Sequence, residues 1–151
     1  MKIRGFMEVS SEFRKTEGEI TLPKKMSRAS AGYDFYSTES FTLKPGESKL
    51  IWTDVKAYMQ ENEVLEIYVR SSIGIKKSLM LKNLTGIIDS DYFSNDSNDG
   101  NIGISLFNYG NKEVSIDKGE RIAQGIFKQF LEADNGNTNE ERNGGIGSSG
   151  K

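Results

Sequence analysis

The chain has 151 residues, no cysteine, no histidine and a formal net charge of −2 at pH 7. This is enough for one domain with its own core, and it excludes disulfides, thiolate or imidazole metal sites and any catalysis by cysteine or histidine. The charge balance offers no basic field for a nucleic-acid polymer, and the apolar runs are too short to span a bilayer.

In chain order, the opening stretch MKIRGFMEVSSEF shows no apolar targeting segment, so a soluble cytoplasmic protein is expected. Short alternating runs follow: Phe41–Leu43, Lys49–Trp52, Val64–Val69, Ile102–Phe107 and Ile122–Phe127. Turn signals separate them at Lys44-Pro45-Gly46-Glu47, Glu61-Asn62-Glu63, Asn108-Tyr109-Gly110-Asn111 and Asp117-Lys118-Gly119. Strands this short, punctuated this regularly, predict an all-β sandwich of the jelly-roll kind. One helix is expected between Arg70 and Leu84, with Ser71 or Ser72 as its N-cap. Residues 94–100, SNDSNDG, read as a polar surface insertion without an apolar anchor. Residues 132–151 are rich in Asn, Gly, Glu and Ser, so the expected domain spans 1–131 and the remainder is a flexible arm.

Without histidine, chemistry falls to carboxylates, hydroxyls, amines, backbone groups or a hard cation such as Mg²⁺, which prefers oxygen ligands and substrate phosphates. The segment Gly86-Ile87-Ile88-Asp89-Ser90-Asp91-Tyr92 sets two acids two apart, on one face if the strand continues. A carboxylate in a cleft can orient and deprotonate water, although a solvated turn has the same pattern. Arg70-Ser71-Ser72 at a strand end is a candidate phosphate site, or only a helix cap. The tail GIGSSGK resembles a truncated phosphate-binding loop, but no buried strand precedes it and no helix follows. Its glycines, with Arg142, Ser148 and Ser149, can still wrap an anion.

Five segments in order, AGYDFYS, RSSIGIK, NLTGIIDSDY, GERIAQGIF and RNGGIGSSG, resemble the five motifs of the homotrimeric dUTPases. The resemblance runs from about Leu22 to Lys151, and its third and fourth motifs are near-complete. It implies a jelly-roll fold and hydrolysis of dUTP to dUMP and pyrophosphate by water attack on the α-phosphorus. Asp89 would orient and activate that water, and Asp34 would position a hydrated Mg²⁺ through water. Arg70, Ser71, Ser72 and Gln124 would bind phosphates, Gln124 from a neighbouring subunit of a homotrimer with shared sites. Asn83 and the backbone from Gly86 through Ile88 and Asp91 to Tyr92 would read uracil, with Tyr92 under the deoxyribose excluding a ribose 2′-hydroxyl. Arg142, Ile146, Gly147, Ser148 and Ser149 would close over the substrate.

The sequence departs from the family pattern in three places. Ile146 stands where the family has an aromatic ring over uracil, which implies weaker binding or a substitute ring such as Phe93. The arm is one residue shorter between Arg142 and that position, which leaves the arginine's target open. Residues 94–100 lengthen the segment after Tyr92, a tolerated insertion or a contact loop for a protein partner. Two rival functions remain at this level: a phage-type regulatory protein acting through surface loops, and a dCTP deaminase relative. The deaminase is disfavoured because Leu84-Thr85-Gly86-Ile87-Ile88 lacks a glutamate.

Overall fold

A computed structural model describes residues 1–146. Eleven strands are formed among them: β1 Gly5–Glu8, β2 Tyr33–Tyr36, β3 Phe41–Leu43, β4 Ser48–Trp52, β5 Val55–Tyr58, β6 Glu63–Val69, β7 Leu79–Leu81, β8 Gly86–Asp89, β9 Gly103–Asn108, β10 Val114–Ile116 and β11 Arg121–Gln129. All pairings are antiparallel. A four-stranded sheet runs β2-β11-β6-β8 and a three-stranded sheet runs β4-β9-β7, with the pairs β1-β5 and β3-β10 beside them. This is the jelly-roll β-sandwich expected from the strand spacing.

The alternation of each strand explains the layering. In β9, Ile104, Leu106 and Asn108 face inward while Gly103, Ser105 and Phe107 are half-buried. In β6, Leu65 and Ile67 do the same. These side chains join Phe35, Ile51, Leu79, Ile102 and Ile122 in one core. Asn108 is tolerated there because its amide is fully used. Its Nδ2 donates to the carbonyls of Leu43 and Lys112, and its Oδ1 accepts from the Gly110 amide.

The helix differs from expectation. It covers only Ser71–Lys77, and its N-cap is Arg70, with no side-chain cap from Ser71 or Ser72. Ser78 turns left-handed (φ 54°), its amide closes onto the Ile73 carbonyl, and Leu79–Leu81 leave as β7 to pair with β9. Leu79 and Leu81, expected inside the helix, are instead the buried residues of a strand, because the left-handed turn at Ser78 ends the helix and β9 gives them a sheet partner.

The loop 94–100 also differs. It is folded in rather than a loose surface excursion: Asn95, Asp99 and Gly100 are buried. Lys56 Nζ lies 3.0 Å from both carboxylate oxygens of Asp99, which also accepts the Ser10 amide at 2.8 Å. Burial pushes the Asp99 carboxyl up, but these donors outweigh it and hold it below its ordinary value.

Candidate functional site

Two depressions carry the residues singled out from the sequence. The first, about 260 Å³, is lined by Asn83, Gly86, Ile88, Asp89, Tyr92, Arg142 and Ile146, together with Ile67, Leu81 and Ser105. Its wall is β8, the edge strand beside β6, in register Gly86↔Ile67 through Val64↔Asp89. Glycine is required at 86: a Cβ there would sit 2.9 Å from the Ile67 Cβ. The loop between β7 and β8 leads into this wall, and Leu84 in that loop is exposed and left-handed (φ 66°). A bulky side chain in that region is strained.

The strand ends at Asp89, and Ser90–Tyr92 form a 3₁₀ turn. Arg142 then clasps both acids of the motif. Its Nη2 donates to Asp89 Oδ2 at 3.0 Å and its Nε to Asp91 Oδ1 at 2.8 Å. The guanidinium carbon lies 5.7 Å from the centroid of the Tyr92 ring. Tyr92 is buried, and its hydroxyl donates to the Asn101 carbonyl at 2.6 Å while accepting from Asn98 Nδ2 at 2.7 Å. Burial raises the phenol above its ordinary value, against opposing effects of Asn98 and Arg142. It therefore stays a neutral hydroxyl through the physiological range.

The second depression, about 480 Å³, is lined by Asp34, Arg70, Ser71, Ser72 and Gln124, with Met26, Ser30, Ala31 and Gly32. Asp34 lies on β2 opposite Gln124 of β11. An irregularity in β11 between Arg121 and Ala123 inserts one residue, so Arg121 and Gln124 share a face despite their spacing of three. Arg121 is thereby brought within 3.4 Å of Asp34, and Arg70 lies 3.5 Å from its other oxygen. Arg121 is a candidate that sequence reading missed. It sits inside the GERIAQ motif, but regular alternation would have turned it away from Gln124.

No group of three or more acidic side chains able to cage a metal occurs among the described residues. Asp34 is the one carboxylate among the described residues lining this depression and faces Arg70 and Arg121, so a hydrated Mg²⁺ there would be held chiefly by substrate phosphates, which the arginines also attract. Gly147, Ser148 and Ser149 lie outside the described residues. Phe93 does not substitute for the missing arm aromatic. It packs against Tyr58 at 6.1 Å and under Lys56 Nζ at 4.8 Å.

The sequence profile of the dUTPase family matches residues 18–150. The chain belongs to the dUTPase family. It is 48% identical over 153 residues to the deoxyuridine 5′-triphosphate nucleotidohydrolase of Lactococcus lactis subsp. lactis (strain IL1403), covering 99% of each. It also resembles the crystal structure of dUTPase from Streptococcus mutans, with TM-score 0.76 and 40% identity over 87% of this chain and 99% of that one. A dUTPase from phage phi11 of S. aureus, described with a structural Mg(II) ion, shares the fold at TM-score 0.71 and 21% identity, over 92% of this chain and 98% of that one. Among the described residues of this dUTPase, no helix is long and apolar enough to cross a membrane.

Proposed function

We infer that this dUTPase hydrolyses dUTP to dUMP and pyrophosphate. The observation that carries the reading is the convergence of Asp89, Tyr92, Arg142, Asn83 and the Gly86 backbone on one cavity, in a chain 48% identical to a named dUTP nucleotidohydrolase. Uracil and the sugar occupy the 260 Å³ depression, just below the roughly 300–1,000 Å³ usual for ligand pockets. Fixed donors and acceptors of β8 and of the loop that joins β7 to it read the base edge, because a pocket built to hydrogen-bond one edge rejects another strongly. Tyr92 packs under the deoxyribose.

Asp89 orients a water and takes its proton as the water oxygen bonds the α-phosphorus. The bond from that phosphorus to the α–β bridging oxygen breaks, and pyrophosphate leaves. Arg70, Ser71, Ser72 and Gln124 hold the phosphates, and Arg121 adds positive charge beside them. Asp34 would hold a hydrated Mg²⁺ through water, and the ion would supply charge neutralisation for the triphosphate when bound. Because the two halves line separate depressions of one chain, we place a working site between subunits of a homotrimer, with the arm from Arg142 onward closing it.

A regulatory function through surface contacts has less support. The phage neighbour shares the fold at 21% identity, against 48% for the bacterial nucleotidohydrolase. The test is direct. With Mg²⁺, the protein releases pyrophosphate from dUTP and scarcely any from dCTP or UTP, and Asp89→Asn lowers kcat by roughly 10²–10⁴-fold while dUTP binding by calorimetry persists. Intact dUTP after incubation overturns the function, and full turnover by the variant removes Asp89 from its role.

A further inference from the structure

The loop 94–100 is tied to Tyr92 by two side chains, Asn98 at the hydroxyl and Asn95 at the carbonyl. Asn98 Oδ1 accepts the Gly100 amide at 3.0 Å and Asn95 Nδ2 at 2.7 Å. A backbone N–H can only donate, so this contact fixes which end of the amide is oxygen. The other end, Nδ2, then donates to the Tyr92 hydroxyl at 2.7 Å. Asn95 locks the arrangement from behind. Its Nδ2 donates to the Tyr92 carbonyl, and its Oδ1 accepts from Ser97 and from the Asn98 amide. The Lys56–Asp99 pair and the Ser10 amide hold the far end of the loop.

The same surface receives the arm. Gly144 and Gly145 are buried. A Cβ on Gly145 would stand 2.7 Å from Ser97 Oγ and 2.8 Å from Asn98 Nδ2, so a larger residue would push the Ser97 and Asn98 side chains out of place. Arg142, three residues earlier, lies over the Tyr92 ring. Asn98 therefore touches the tyrosine assigned to the sugar, the loop that fixes that tyrosine, and the arm that covers both.

We propose that Asn98 is a positioning residue for substrate selection: the 94–100 loop is a seat for the arm, and through Asn98 the docked arm and the Tyr92 ring are held in one geometry. Tyr92 bonded at its hydroxyl by Asn98 and Asn101 cannot tilt to admit a 2′-hydroxyl. Rejection of UTP is thus greatest when the arm is seated. The inference rests on the assignment of Tyr92 to the deoxyribose.

The experiment measures kcat and KM for dUTP and UTP on the full-length protein. Asn98→Asp keeps an Oδ acceptor for Gly100 and Asn95 but cannot donate to Tyr92, whose single hydroxyl proton must then choose between the new carboxylate and the Asn101 carbonyl, so one of its two hydrogen bonds is lost. It lowers the dUTP/UTP ratio of kcat/KM about fivefold, the worth of one hydrogen bond, by raising KM for dUTP and improving use of UTP. Its kcat on dUTP and its melting temperature stay near the parent. Gly145→Ala lowers the same ratio and speeds tryptic cleavage after Arg142, because the arm leaves its seat. Asp96→Ala, in the same loop but exposed, changes neither. Tyr92→Ala separates the two layers. If it relaxes selection while Asn98→Asp and Gly145→Ala leave the ratio unchanged, the role of Asn98 is wrong and the site stands. If Tyr92→Ala leaves the ratio unchanged, the sugar assignment falls and the inference with it.

Discussion

Ile146 stands at the lip of the base cavity, 68% exposed, where the family places an aromatic ring. An aliphatic side chain can cover a pyrimidine by apolar contact, but base–aromatic stacking is worth roughly 1–3 kcal/mol. Ile146→Phe is therefore expected to lower KM for dUTP by about tenfold or more with little change in kcat; steady-state kinetics with and without the substitution measures it. An unchanged KM would mean that the side chain at 146 does not meet the base. Arg142 shows what residue-level reading leaves out. The sequence marked it as an anion ligand, yet its nearest acceptors in the fold are the two acids of the third motif. Phosphates that take this guanidinium must compete with Asp89 and Asp91 for it.

At the scale of an element, β8 is the part on which the site depends. It is the edge of the four-stranded sheet, and it carries Gly86, Ile88 and Asp89 into the cavity. Gly86→Ala drives a methyl into the Ile67 side chain of the neighbouring strand, where overpacking costs typically 1–3 kcal/mol. The strand relieves the clash by moving outward, and Asp89 moves with it. Thermal denaturation should show a lowered melting point, and kcat should fall more than this loss of stability alone explains. A variant that melts earlier but keeps full kcat would show that Asp89 is placed by the 3₁₀ turn after it rather than by β8. The shortened helix belongs to this scale too. Its apolar positions were visible in the sequence, but the left-handed Ser78 that ends it was not. A serine there carries no glycine-like signal.

At the scale of the whole molecule, the two halves of the site lie in separate depressions of one chain, and the proposed trimer joins one half from each of two subunits. Mixed oligomers test this. Asp89→Asn and Arg70→Ala, each inactive alone, should recover about a quarter of parental activity when co-assembled at equal amounts, because one site in four then draws both intact halves from different chains. Recovery at background level would place each site within a single chain. The fold supports such sharing. One core under two sheets holds the depressions at fixed positions, so a site split between chains needs no rearrangement of either.

Some of this was legible in the sequence. Alternation and turn residues gave the sandwich, since a period of two and a glycine or proline at a turn are local properties of the chain. Five ordered motifs marked Asp34, Arg70, Asp89, Tyr92, Gln124 and Arg142. Only the tertiary structure decided the rest. The extra residue in β11 that swings Arg121 toward Asp34 is a matter of pairing between strands, as is the closeness of Gly86 to Ile67. The loop 94–100 looked solvated because its residues are polar. Its Asn95, Asp99 and Gly100 are buried instead, since Lys56 and Ser10, distant in sequence, and Tyr92, just before the loop, satisfy its polar groups. Local chemistry fixed which residues could act; long-range partners fixed where they meet.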